Sequence, residues 1–418
     1  MHRSLYILLV LTAVNLLSCF SSGTTAVLWT DQSEFALYAD YFNASQDQYK
    51  IEVQYFDFPG QKLTGNGTGQ RGPDIVAGSW LKSASTRVLF RTLDRHVRNN
   101  SLQRNAFYPR LLDMGNIDGR QYLLPVSFNA PVVIFNRDNQ EYLSNPFTIG
   151  LDEMQALGAN HNARTNGIYT RMGFSPGWDT NFLFTMAVLF GAAFSEGAPS
   201  GNGVMLTWDY AALEKAMQYA YEWTHEANTS IQAVEDFTFR YLYDSPAQLV
   251  ISGRILFTFM NSDRFFIMTH NNLGFRWIAE QETIPITEQS VYLGLTRKGN
   301  GRRARRAAEA FLHWFYSIDT QRSILEKNHQ TRMSETSFGI SGGFSALRTV
   351  TEQVFPQFYP DLLGHMPPHD FLYPANILPG NWMAMKEQVI LPYLGDRARQ
   401  DEGIPSLERR LADWQRVN

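Results

Sequence analysis

The segment Tyr122–Asn136, YLLPVSFNAPVVIFN, constrains this chain more than any other. It is apolar and aromatic with no helical period, and it carries two prolines, Pro125 and Pro131. Proline has no backbone N–H and pushes the residue before it toward extended conformations, so the segment reads as extended. Ser127–Phe128–Asn129 interrupts two strand-like runs, Tyr122–Val126 and Val132–Phe135. Two arrangements satisfy this pattern. One is a buried strand pair inside a single domain; the other is a span that leaves one sheet and enters another.

At 418 residues the chain exceeds what one core normally serves, since cores stop growing at roughly 250–300 residues. Its 36 basic and 40 acidic side chains are nearly balanced, which counts against a nucleic-acid partner. The single cysteine, Cys19, excludes intrachain disulfides and a cysteine-rich metal site. Ahead of it lie Arg3, the apolar run Leu5–Leu17 and Ser18, the layout of a secretory leader. That run is about 13 residues, shorter than the roughly 20 a membrane-spanning helix needs. Leu16–Leu17–Ser18–Cys19 resembles a bacterial lipobox, in which the cysteine is lipidated and becomes the first mature residue. On that reading 1–18 is a signal peptide and 19–25 a lipidated cysteine with its tether. Only Arg3 among charged residues is then lost, and the mature charge is 35 minus 40, or −5.

Strand and helix patterns alternate along the rest. Ala26–Trp29, a helix through Phe35–Asn43 and the alternating run Ile51–Phe56 have the spacing of a βαβ unit. Pro59–Gly72 reads as a loop; its GNGTG (Gly65–Gly69) lacks the Lys-Ser/Thr and preceding strand of a phosphate loop. Gly72–Val76 opens another strand. Helices are expected at Leu151–Leu157, Asn181–Phe190, Trp208–Thr224, Pro246–Ser252, Ala304–Tyr316, Thr320–Lys327, Asn381–Leu394 and Leu407–Trp414. Strands are expected at Ile255–Met260, Phe275–Ala279 and Val291–Leu295. The fold class is therefore α/β.

The order of these features resembles the extracellular solute-binding proteins of ABC importers, the maltose-binding-like family. The features are Ala26–Trp29 with its following helix, GPDIV (Gly72–Val76) with Trp80, and Asp118–Gly119–Arg120 before LLPVSFNAPVVIFNRD. Later come Leu293–Gly294–Leu295 with the helix after it, and Trp382 before a helix. Gly253–Asp263 departs from the family pattern, lacking its Gly-x-Trp. The resemblance implies a periplasmic-binding-protein-like (type II) fold of two α/β lobes joined by crossing hinge strands. It implies a first lobe of 26–127 plus 285–328 and a second of 132–277 plus 331–418, with joints near 127–132, 278–284 and 328–331. It further implies a monomer without cofactor or catalytic residue. Such a chain binds a small molecule, here expected to be a sugar, and meets the permease subunits of an importer. Its membrane contact would run through the lipid on Cys19.

A sugar presents apolar C–H faces and many hydroxyls, so its site needs flat aromatic rings and planar polar side chains. Loops at predicted strand ends have that composition: Trp29, Asp31, Gln32, Ser79, Trp80, Phe128, Asn129, Trp178, Asp179, Asn261, Asp263 and Trp382 are the candidate ligand contacts. Polyols, glycerophosphodiesters and other small polar solutes remain alternatives. Asp31 and Glu34 also have the makings of a glycosidase carboxylate pair, though at i and i+3 they serve a helix start equally well. No metal-binding His spacing is present; His365–His369 lies in a proline-rich loop. Arg302–Arg306 is the one dense basic cluster and sits at a helix start, where the macrodipole disfavours it. It suits either a solvated face or docking onto an acidic permease patch or anionic headgroups.

Overall fold

The computed structural model describes residues 24–65, 72–98, 102–200, 203–241, 243–268, 272–400 and 403–417. The leader, Cys19 and most of Gly65–Gly69 lie outside the described residues.

In chain order the two main sheets use β1 (Thr24–Thr30), β2 (Tyr49–Tyr55), β3 (Ile75–Gly78), β4 (Leu124–Phe128), β5 (Pro131–Asn136), β6 (Thr148–Ile149), β7 (Phe257–Asn261), β8 (Leu273–Ile278), β9 (Val291–Leu295) and β10 (Phe344–Ser345). The first sheet has the order β10-β4-β9-β3-β1-β2 and the second β7-β5-β8-β6. β1 is parallel to β2 and β3, as a βαβ unit requires, while β9 returns antiparallel between β3 and β4. The pattern is a two-lobed α/β molecule of the type II kind.

The proline-bearing segment is the first crossing. β4 belongs to the first sheet and β5 to the second, and only Asn129–Ala130 lies between them. The strand continues through Ser127 and Phe128, so the interruption begins two residues later than the sequence suggested. Both faces of β5 are buried. Val132 and Ile134 pack toward the core shared with the first lobe, and Val133 and Phe135 toward the second lobe's own core. This two-sided burial explains an apolar run without alternation.

The chain returns between β8 and β9. On the way Ile284–Pro285 pairs in parallel with Leu372–Tyr373. β10 pairs with β4 at Phe344↔Phe128, in the first sheet, so the chain stays with that sheet beyond the joint expected at 328–331. The helices at Trp382–Met385 and Leu391–Arg399, bridged by a π-turn, pack on the second lobe.

Helix starts follow local chemistry. Asp209 caps Tyr210–Asn228 by accepting from the Ala212 N–H at 2.9 Å, and Asp179 caps Thr180–Leu189 through the Asn181 N–H at 2.8 Å. Elements not anticipated include the helix Ile231–Arg240 and the hairpin Ser195–Ser200 with Gly203–Thr207. Pro59–Thr64, expected as loop, is a short helix with proline in its first turn.

Candidate functional site

The carboxyl ends of β1 and β3 carry the first half of the site. Asp31 follows β1; its carboxylate accepts the Ser79 N–H at 3.1 Å and the Gln32 amide at 2.8 Å. The contact demands a glycine next door, because a Cβ on Gly78 would sit 2.7 Å from Asp31 Oδ1. Burial pushes the Asp31 carboxyl up to about 6, against the opposing pull of these hydrogen bonds. Trp80 holds the left-handed backbone region at φ 61°, a conformation that costs a bulky residue about 1–2 kcal/mol. Its indole packs against the second lobe's core. Lys82 is buried with its ammonium 4.6 Å from the Tyr292 ring and forms no ion pair among the described residues. Burial lowers it to about 8.

The second lobe meets these loops directly. Glu196, on the hairpin, accepts the Ala84 N–H at 2.8 Å, and the Gln61 amide donates to the Gly380 carbonyl at 2.9 Å. Lys386 pairs with Glu288 of the returning crossing while its ammonium lies 4.2 Å from the Phe184 ring centroid. At the joint Asn129 ties three segments together. Its amide donates to the Gly342 carbonyl at 2.8 Å, its Oδ1 accepts from Ser262 Oγ at 2.9 Å, and its carbonyl accepts the Thr287 N–H at 2.8 Å.

Two cavities flank the helix Thr180–Leu189. The larger, about 680 Å³, lies in the second lobe and is lined by Ser175, Trp178, Asp179, Phe237, Tyr241 and Phe259 among others. Trp178 stacks on Phe237 with centroids 5.9 Å apart and planes 20° from parallel. Ser175 Oγ and Trp178 Nε1 are buried and have no hydrogen-bond partner among the described residues. The smaller, about 200 Å³, opens beside the crossing strands, with Pro131, Asn181, Asn261, Thr287 and Lys386 in its wall; Phe259 lines both.

The residues singled out from sequence therefore divide. Asp31, Gln32, Ser79 and Trp80 gather at the strand ends of the first lobe. Trp178, Asp179 and Asn261 line cavities of the second. Asp263 lies beyond β7 with Oδ1 buried and unpartnered, and burial raises its carboxyl. Four expectations need correction. Trp29 is in the core and donates to Gln54 Oε1 at 2.8 Å. Phe128 is enclosed by Tyr108 and Phe344, and Trp382, fully buried, by Phe184 and Phe194. Asn129 spends its polar atoms on the joint. Loop position alone did not separate a ring facing a cavity from one facing the core. Sequence reasoning passed over Lys82, Glu196, Phe237 and Lys386; the charged residues amid apolar neighbours in SWLK (Ser79–Lys82) and WMAMK (Trp382–Lys386) were the available signal.

Asp31 and Glu34 do not face each other as a catalytic pair: Glu34 Oε1 accepts from Ser337 Oγ at 2.5 Å, and Asp31 binds Ser79 and Gln32. Among the described residues, no group of three or more His, Cys, Asp or Glu is placed to hold a metal ion, and no helix is long and apolar enough to cross a membrane.

Comparison with solved structures places this geometry among known folds. The cyclic alpha-maltosyl-1,6-maltose binding protein from Arthrobacter globiformis is similar with TM-score 0.60 at 18% identity, over 95% of this chain and 98% of that one. A sugar transporter from Rhizobium etli in an open conformation gives 0.64 at 14% identity, over 94% and 99%. The maltose-binding periplasmic protein MalE from Listeria monocytogenes, in complex with maltose, gives 0.60 at 12%, over 94% and 97%. No curated protein matches the sequence significantly. The family model for bacterial extracellular solute-binding proteins matches residues 38–330, most of the chain. Two α/β lobes, crossing strands and this match together identify the chain as a member of the bacterial extracellular solute-binding protein family.

Proposed function

We propose that the chain captures a carbohydrate between its lobes and delivers it to the permease of an ABC importer, binding it without chemical change. One observation carries the reading. An aromatic-lined cavity of the second lobe is bordered by Ser175 and Trp178, whose buried Oγ and Nε1 have no hydrogen-bond partner among the described residues. An unpartnered buried polar group is costly, so these atoms favour a ligand that brings oxygen acceptors together with an apolar face. Sugars do both, and the three similar structures named above are described as sugar-binding or sugar-transporting.

Trp178, Asp179, Asn261 and Asp263 would contact the ligand from the second lobe, and Asp31, Gln32, Ser79 and Trp80 from the first. Closure follows from binding both lobes at once, because a ligand shifts such an equilibrium only by its differential affinity. We further propose that the chain is a monomer exported by its leader and held to a bacterial membrane, facing the periplasm or exterior, by lipid on Cys19. A second reading has its own support: Lys82, a buried cation without an acid partner among the described residues, suits an anionic solute such as a glycerophosphodiester or a uronic acid. A thermal-shift screen of mono- and oligosaccharides, uronates, polyols and glycerophosphodiesters, followed by calorimetry on the hits, tests both. A shift with neutral oligosaccharides is expected. Response to none of the sugars would sink the carbohydrate reading, and response to the anionic members alone would select the second.

A further inference from the structure

We propose that the end of the first lobe opposite the cleft is a docking face for an anionic membrane surface, which seats the tethered protein on the bilayer with its cleft turned outward. The proposal rests on the Cys19 anchor reading.

The sheet register sets the geometry. Ile75 lies opposite Leu28 of the parallel strand β1 and opposite Leu295 of the antiparallel strand β9. Residues before Val27 and residues after Leu295 therefore emerge at the same end of the sheet. Asp74 marks that end: its carboxylate accepts the Val27 N–H at 3.0 Å, the Asn300 N–H at 2.6 Å and the Asn300 amide at 2.8 Å. The helix Arg302–Phe315 starts immediately beyond. Thr30 and Gly78, whose following loops carry the proposed ligand contacts, are at the other end of the same strands.

This end is strongly basic in a chain whose overall charge is −4. Arg297, Lys298, Arg302, Arg303 and Arg306 are exposed. Among the described residues Lys298, Arg302, Arg303 and Arg306 form no ion pair. Of the acids at this end Asp47 is exposed, while three others have partners within the fold. Asp74 is buried and bonded as above, Glu309 pairs with Arg95 and Arg305, and Asp94 accepts the Gln121 N–H at 2.9 Å. Arg91, Arg302 and Arg305 also line a cavity of about 360 Å³, a recess in the face large enough for a headgroup phosphate. The helix itself is not helped by cations in its first turn, and Gly301 offers no side-chain cap, so the charges call for an external anion.

The tether brings that anion within reach. From Cys19 to Thr24 is five residue steps, at most roughly 18 Å when fully extended. A lipid on Cys19 thus holds this end within about two Debye lengths of the headgroups at physiological ionic strength. Each lysine or arginine near an anionic leaflet strengthens association roughly 5-fold. Reversing three of them is expected to weaken docking by two orders of magnitude or more.

The test uses the full chain purified from membranes and reconstituted into phosphatidylcholine vesicles with or without phosphatidylglycerol. A dye on Thr92→Cys reports from the basic end, and one on Tyr243→Cys from the far lobe. A headgroup-located quencher should quench the first dye in phosphatidylglycerol vesicles only, with the effect lost in high salt and in the Arg302→Glu/Arg303→Glu/Arg306→Glu variant. The second dye should stay bright throughout. Equal quenching at position 92 in both vesicles, or quenching that survives the triple variant, overturns the proposal. So does a triple variant that keeps membrane contact but loses uptake in cells, which would assign the face to an acidic protein surface. Failure of the anchor reads separately, as a second dye on an unmodified Cys19. Salt-sensitive binding to phosphatidylglycerol vesicles then still decides whether the face docks.

Discussion

Two tryptophans of similar sequence setting have opposite surroundings. Trp178 borders the second-lobe cavity, whereas Trp382 is enclosed by Phe184 and Phe194. Trp178→Ala should lower ligand affinity at least 10-fold by calorimetry while shifting denaturant unfolding little. Trp382→Ala should instead cost about 3–5 kcal/mol in unfolding free energy, the usual range for emptying a buried aromatic site. Equal losses of affinity and stability in both variants would remove the distinction. Asp31 carries the pH prediction. Its folded value is raised to about 6 from the ordinary 3.8, so the folded chain holds this proton more tightly than the unfolded one. The stability it contributes is complete below pH ~4 and is lost as pH rises through ~6. Unfolding free energies measured across that window should fall less steeply for Asp31→Asn, by up to roughly 3 kcal/mol, and an unchanged slope would place the titration elsewhere.

At the scale of elements, the hairpin Ser195–Thr207 works as a clasp. Its Glu196 accepts the Ala84 N–H from the opposite lobe with one carboxylate oxygen, and the other oxygen is buried without a partner among the described residues. A hydrogen bond to a charged group is worth about 1.5–3 kcal/mol, and this one joins the two lobes. Glu196→Ala should therefore raise the open population of the ligand-free chain and weaken ligand binding. Small-angle scattering would register the first effect as a larger radius of gyration; an identical profile for variant and parent would mean that the clasp does not bias closure. The crossing depends on Asn129, which links Gly342, Ser262 and Thr287. Asn129→Ala leaves two of those partners short of a bond, and a loss of roughly 1–3 kcal/mol is expected in chemical denaturation.

The whole molecule is two sheets connected by extended spans that run close together, Asn129–Ala130 and Ile284–Pro285 against Leu372–Tyr373. β4 and β5 are buried along their full lengths on either side of the joint, so bending is expected at these few residues. Ligand should compact the chain: the radius of gyration with a saturating ligand from the screen should be smaller than without it, and the Glu196→Ala variant should recover the compact form at high ligand. A ligand that binds tightly yet leaves the scattering unchanged would mean that binding and closure are uncoupled.

The sequence by itself determined the α/β class, because strand alternation and helix periodicity are local and survive without tertiary knowledge; the two lobes were implied only by the family resemblance. Pro125 and Pro131 exclude helix and the uninterrupted apolar run Val132–Phe135 reports burial on both faces, which fits a strand pair in one domain as well as a crossing; the sheet membership of β4 and β5 decided for the crossing. Only the tertiary structure decided which aromatic and charged side chains face a cavity. Trp29, Trp178 and Trp382 are alike in sequence setting, and their fates depend on partners such as Gln54, Phe237 and Phe194 that lie distant along the chain. The same holds for β10, whose return to the first sheet is set by two residues pairing with Phe128 and Ser127, too short a signal for any local pattern. Glu196 and Lys386 were likewise invisible as cross-lobe contacts, since an ion pair or a clasp exists only once the fold has brought its two ends together.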